Sequence, residues 1–382
     1  MIKKFIIGFV LILFLFTLTG CYDANTIENS YYIVALGIDL NEDNPDIPYH
    51  ISIQIAKNKS SSESGGGSSQ SSAYSIYSVD AESLNSGISI LNNYLDKKIN
   101  LSHCSAIILS ESLARRGIGD ILKALSNDHE VRPNSYILIS SNKAEDVLDK
   151  VANSGEEFSS RFYEYIINSF DYTGYSVETT FNKILSEIND TLGDTIAIYT
   201  SVSGDSIQNQ GLAIFKDDRM VGHTSAIDSI GYLLLVNKLE ESNITITNPL
   251  EDNSKIDLEI GIMKDCNKDV EIINNTPYID IDIHVSAHIA SSGDNFDYTS
   301  SENIHKVEEI AEKYIKNLIT DFLYKISKEY DADIFNFENL YSTKCLTNKE
   351  LEDVHFDKIY KDSVFNVNVD VSISSTHLFE KE

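Results

Sequence analysis

The chain has 382 residues, with 59 Asp and Glu against 30 Lys and Arg, 42% apolar residues, four cysteines and no tryptophan. A net charge of −29 argues against nucleic acid, whose binders carry basic patches. At roughly 150 residues per domain the length allows two or three domains.

Lys3 and Lys4 precede an apolar run over residues 5–18, the charged and hydrophobic regions of an export signal. The run has 14 residues, whereas a spanning helix needs roughly 20. It ends in Leu18-Thr19-Gly20-Cys21, a bacterial lipobox, in which small residues admit the peptidase and the cysteine thiol accepts a diacylglyceryl group. Two chains on Cys21 hold a protein at the bilayer, because each buried methylene contributes roughly 0.8 kcal/mol. The competing readings are an uncleaved anchor and a plain secreted protein with an incidental Cys21; length and motif together favour the lipoprotein. Without residues 1–20, 28 basic residues face 59 acidic ones, a net charge of −31. Such a body repels anionic headgroups, so the acyl chains do the holding. Cys104, Cys266 and Cys345 remain, too few for a disulfide framework.

A short polar tether (22–30) leads to residues 31–38, an apolar run predicted as a strand buried on both faces. After a turn with Pro45 and Pro48, Tyr49, Ile51, Ile53 and Ile55 alternate with His50, Ser52 and Gln54, the period of a strand with one wet face. Residues 60–72 contain no apolar side chain and read as a flexible Ser/Gly loop; no lysine follows Gly65-Gly66-Gly67 to make it a phosphate cradle. Asp80 is placed to cap a helix with Leu84, Ile88, Leu91 and Leu95 on one face. A strand at 105–110, a helix marked by Leu113, Ile121, Leu122 and Leu125, and a strand at 136–139 follow. Helices at 144–151, 158–170 and 178–188 and a strand at 196–202 complete a first domain, 21–205, whose alternation favours a sheet with helices packed on it.

Residues 211–215 and 220–223 flank a tight turn, predicting a hairpin. With an apolar helix at 226–238 and strands at 244–247 and 256–263, it makes a small middle domain, 206–265. A further short strand at 270–273 is read with this group, and the last domain is 266–382. Odd positions from Ile279 to Ile289 are then apolar and even ones polar up to His288. Ile304, Val307, Ala311, Tyr314, Leu318 and Phe322 mark a helix over 302–330, about 40 Å long at 1.5 Å per residue. Phe365, Val367, Val369, Val371 and Ile373 form a final half-buried strand. The expected fold class is α+β: three domains, each a mostly antiparallel or mixed sheet with packed helices, the last with its long helix on an antiparallel sheet.

No nucleotide-binding, zinc-hydrolase or serine-hydrolase motif occurs. The wet face of the 279–290 strand offers Asp280, Asp282, His284 and His288 as metal ligands, but alternate polar residues are what any solvated strand face presents. His103-Cys104 pairs a base with a nucleophile by type, yet neighbours on a strand point to opposite faces. The residues therefore propose no enzyme, no metal and no cofactor.

Several segments in order resemble the Ger(x)C lipoproteins, the C subunits of spore germinant receptors. They are Cys21-Tyr22-Asp23 with Ile27; Ala35-Leu36-Gly37-Ile38-Asp39; Leu101-Ser102-His103; Glu111, Leu113-Ala114 and Gly117-Ile118; and Glu130-Val131-Arg132-Pro133-Asn134. Gly211-Leu212-Ala213-Ile214-Phe215-Lys216 with Val221-Gly222, and Ala332-Asp333-Ile334-Phe335-Asn336-Phe337, complete the set. Tyr22 stands where the family usually has Trp. The resemblance implies a three-domain α+β protein lipidated at Cys21, without enzymatic activity. It also implies a place beside two integral subunits, A- and B-type, at the outer face of the spore inner membrane. The alternative is a solute-binding lipoprotein that delivers a small nutrient to a transporter.

Overall fold

The computed structural model describes residues 29–56, 74–153, 173–189, 193–204, 206–250, 254–292 and 300–373, with a few single positions besides. Cys21, the Ser/Gly loop at 60–72 and most of the helix expected at 158–170 lie outside the described residues. Among the described residues no helix is long and apolar enough to cross a membrane.

The first sheet begins with β1 (Ser30–Leu40), β2 (Tyr49–Ala56) and β3 (Tyr74–Ala81). Helix α1 (Leu84–Tyr94) and β4 (Lys98–Asn100) follow. Then come β5 (Ala106–Ser110), α2 (Glu111–Arg116), α3 (Gly119–Ser126), β6 (Tyr136–Ser140) and α4 (Ala144–Asn153). Helix α5 (Phe181–Asn189), β7 (Ile196–Ser203), β8 (Ser206–Lys216) and β9 (Arg219–His223) complete it. Its strand order is β3-β2-β1-β5-β6-β7-β8-β9, with β4 against β1. The centre, β1-β5-β6-β7, is parallel, and both flanks are antiparallel.

A parallel centre needs both faces covered, and the apolar runs provide for that. Ala106 and Ile108 of β5 join Val147 and Leu148 of α4 on one face. Ile107 and Leu109 join Leu91, Leu113 and Leu122 on the other. The face of β2 expected to be wet is covered too: Ser52 and Gln54 are fully buried, and the Gln54 amide donates to the Leu148 carbonyl of α4 at 3.0 Å. Alternation in the sequence shows which side chains share a face, and a helix from 94 residues downstream keeps Ser52 and Gln54 from water, leaving His50 of that face partly exposed. The cap of α1 is Ser83, in a reciprocal pair with Ser86; Asp80 belongs instead to β3, whose burial is confined to its ends. The helix expected through Leu113 and Leu125 is two helices. Gly117, at φ 129°, breaks them, and the tip of the β8–β9 hairpin docks at the break: the Ile118 amide donates to the Asp218 carbonyl at 2.9 Å.

The second sheet contains β10 (Ser242–Thr247), β11 (Lys255–Ile273) and β12 (Thr276–Ser292), preceded by α6 (Asp228–Leu235). After β12 come α7 (Ser301–Tyr324), a wider π turn at Lys325–Tyr330, α8 (Phe337–Ser342), α9 (Asn348–Val354), α10 (Phe356–Ile359) and β13 (Val364–Ile373). The order is β10-β11-β12-β13. Helix α7 buries Val307, Ala311, Ile315, Ile319, Phe322 and Leu323, and each large side chain so buried contributes roughly 1.5–3 kcal/mol.

The α+β class holds, with two sheets. Strands expected at 256–263 and 270–273 are one, β11, which bulges between Ile262 and Asn267. The middle domain expected at 206–265 has no sheet of its own: its hairpin, β8–β9, extends the first sheet, and β11 runs through residue 265 within the second. The last sheet is not wholly antiparallel either, because β13 runs parallel to β12. The connection between them holds α7, and a crossover of that kind returns the chain in the same direction.

Candidate functional site

At the carboxyl ends of β1, β5 and β6, where ligands of open α/β sheets gather, lies a cleft of about 560 Å³. The loop after β1 supplies Asn41, Glu42 and Asp43; the start of α2 supplies Glu111 and Ser112; the turn before α4 supplies Ser141, Asn142 and Lys143. His50 and Asp80 close the side formed by β2 and β3.

Asp39 organises its floor. Its carboxylate accepts the amides of Ala144 at 2.6 Å and Glu145 at 3.2 Å, so a strand side chain satisfies the first turn of a helix 105 residues later. Burial pushes its carboxyl above the ordinary range, against those two hydrogen bonds, which favour the charged form. Gly37 permits the approach: a β-carbon there would sit 3.0 Å from Leu148 Cδ1 and 3.3 Å from Ala144 Cβ. His50 bridges two acids, with Nδ1 2.6 Å from Asp80 and Nε2 3.3 Å from Glu145. Burial raises the Glu111 carboxyl, but hydrogen bonds from Tyr199 and Arg115 outweigh it and hold the group low. The cleft is thus anionic, and Asp39, Asp80, Glu111 and Glu145 are tied to the scaffold, while Glu42 and Asp43 stand exposed at its rim.

A second acidic arrangement joins the two sheets. Asp194, just before β7, accepts the Asp217 amide at 2.9 Å and the Asp333 amide at 2.8 Å. Asp333 accepts the amides of Phe337 at 3.0 Å and Glu338 at 2.9 Å, capping α8. Burial pushes the Asp333 carboxyl up to about 7. Lys216 pairs with Asp331 at 2.6 Å, and the Tyr330 hydroxyl donates to the His223 carbonyl at 2.7 Å. The ring of Tyr330 lies over Gly222, where a β-carbon would overlap it.

Residues singled out for chemistry fall elsewhere. Cys104 is buried, its thiol pushed up to about 12 by desolvation, and His103 packs edge-on against Tyr32. At neutral pH such a thiol is protonated and no nucleophile. Asp280, Asp282 and His284 face Asn366, Asn368 and Asp370 across the parallel β12–β13 pair, at 2.9, 3.0 and 3.2 Å. Among the described residues no three His, Cys, Asp or Glu converge as a metal shell. Asp39 and Asp333 had no role assigned from the sequence. For Asp39 the available signal was an acid closing an apolar run, where a carboxylate needs a specific partner; Asp333, preceded by Tyr330-Asp331-Ala332, carries no such signal.

Comparison with known proteins places these arrangements in context. Residues 23–202 match a family model described as spore germination protein N-terminal domain, and residues 210–377 match one described as spore germination B3/GerAC like, C-terminal. Spore germination protein GerQC of Bacillus cereus is 22% identical over 316 residues, covering 83% of this chain and 86% of that one. Spore germination protein KC of Bacillus subtilis (strain 168) is 21% identical over 353 residues, 86% of this chain and 85% of the other. The crystal structure of the GerBC protein superposes with a TM-score of 0.58 at 17% identity, covering 92% of this chain and all of that one. The second matched segment opens within β8, so its first hairpin pairs with a strand of the first segment.

Proposed function

The chain belongs to the GerAC family of spore germination proteins, and from that premise we propose that it is a noncatalytic lipoprotein subunit of a germinant receptor. Acyl chains on Cys21 hold it at the outer face of the spore inner membrane. There it works by contact with two integral subunits, A- and B-type, to turn nutrient arrival into the start of germination.

The observation that carries this reading is the pair of family models, in order along the chain, the first opening two residues beyond the lipobox cysteine. The internal pairing of Asp39, Asp80, Glu111 and Glu145 fits a scaffold that binds rather than reacts. Affinity capture of the lipidated protein from spore membranes tests it. Co-purification of two integral germination proteins is expected; capture of the protein alone under conditions that keep membrane complexes intact counts against it. Cys21→Ala should abolish lipidation and release the protein in a carbonate wash.

The second reading, a solute-binding lipoprotein serving a transporter, draws support from the strand-end cleft. Solute-binding proteins close two similar lobes over such a site, whereas this one opens on a single sheet. Calorimetric binding of a free nutrient to the purified protein would favour it.

A further inference from the structure

The two ends of β1 differ in charge, and only one lies next to the tether. Eight residues separate Cys21 from Ser30, a reach of about 30 Å at full extension. The chain arrives at the start of β1, where β4 lies alongside with Ser30 opposite Lys98. The turn that feeds β4 therefore sits beside the point of arrival.

It carries Tyr94, 71% exposed, and Lys97, whose ammonium lies 5.4 Å from the centre of the Tyr31 ring. Tyr31 donates to Asp96 at 2.8 Å, and exposed Lys98 lies 3.9 Å from Glu130. This corner is aromatic and locally balanced, with Lys97 and Lys98 against Asp96 and Glu130, in a chain that is strongly negative. Tyrosine rings, apolar in body and polar at the tip, suit the headgroup layer, and lysines suit its phosphates.

The other end of β1 leads into the acidic cleft, about 33 Å away at 3.3 Å per residue. That is several times the screening length of about 8 Å at physiological salt. A body lying flat would press the carboxylates of Glu42, Asp43 and Asp80 toward anionic headgroups. One standing on the start of β1 keeps them beyond the range of repulsion.

We propose that the protein stands end-on, with Tyr31, Tyr94, Lys97 and Lys98 resting on the lipid surface and the acidic cleft held away from it. The proposal rests on the reading of Cys21 as lipidated. Its test exploits the absence of tryptophan, which makes any introduced one a clean reporter. Full-length lipidated protein is reconstituted into phosphatidylcholine–phosphatidylglycerol vesicles with plain or brominated acyl chains. Three variants are compared: Tyr94→Trp and Asn93→Trp at the tether end, and Asp43→Trp at the cleft rim.

Bromine should cut the emission of the first two about twofold, since interfacial side chains reach the acyl boundary, and leave the third unchanged. The exposed positions of Asn93 and Tyr94 give two independent reporters should one substitution disturb the fold. Vesicle flotation separates the outcomes. If the variants float but neither tether-end reporter is quenched, or Asp43→Trp is quenched equally, the orientation is wrong and the anchor stands. If the protein does not float, both fall.

Discussion

Asp194 and Asp333, 139 residues apart, hold one another by two hydrogen bonds: the Asp333 amide reaches the Asp194 carboxylate at 2.8 Å, and the Asp194 amide reaches the Asp333 carbonyl at 3.1 Å. The first residue precedes a strand of the first sheet and the second follows the long helix of the other. Their contact is a pin between the two halves of the molecule.

The pin should respond to pH. Asp333 titrates near 7 when folded, against an ordinary 3.8, chiefly through burial. The folded chain therefore holds a proton that the unfolded chain releases, and this contribution is full below about 4 and lost as pH rises towards 7. Thermal unfolding midpoints should fall between pH 5 and pH 7, by up to about 1.4 kcal/mol of stability per pH unit from this group. Asp333→Asn should flatten that slope, and equal slopes in both proteins would refute the assignment.

Gly222 should not tolerate a side chain. In Gly222→Ala the new methyl meets the ring of Tyr330, whose hydroxyl is committed to His223, and overpacking of this kind costs about 1–3 kcal/mol. Denaturant unfolding of Gly222→Ala, Tyr330→Ala and the double variant forms a cycle. The double variant should be more stable than the two single losses predict; simple additivity would place the strain elsewhere.

Asp39→Ala should loosen the start of α4 without unfolding the sheet. Two amide bonds disappear, and loss of a capping side chain costs about 1 kcal/mol. Hydrogen exchange at Ala144 and Glu145 should accelerate while exchange at Ile107 and Leu138 stays slow. Uniform acceleration would mean that Asp39 supports the whole domain instead.

Thiol labelling should sort the cysteines by burial. Cys104, fully desolvated with its thiol near 12, and buried Cys266 should resist a maleimide in the native protein, whereas partly exposed Cys345 should react. Rapid modification of Cys104 at pH 8, read by peptide mass spectrometry, would contradict its placement under the first sheet.

Much of the secondary structure is legible locally. Odd positions from Ile279 to Ile289 point inward along β12; of the stripe expected on α7, Val307, Ala311 and Phe322 are buried and Ile304, Tyr314 and Leu318 half-buried, with Ile315, Ile319 and Leu323 buried besides. Local patterns failed where a distant segment intervened. Ser52 and Gln54 alternate like solvent-facing residues yet are sealed by α4. Strand β3 lacks a clean period because, as an edge, it buries little beyond Tyr74 and Ala81.

What the residues determine by themselves is the acidic balance and, along strands such as β12, which side chains share the buried face, because these depend on side-chain chemistry and a period of two. Only the tertiary structure decided that the β8–β9 hairpin extends the first sheet, that β13 lies parallel to β12, that Asp39 serves a helix start 105 residues further on, and that Asp333 pairs with Asp194. Hydrogen-bond partners and sheet neighbours are chosen across many tens of residues, by whichever arrangement leaves the fewest buried polar groups unpaired.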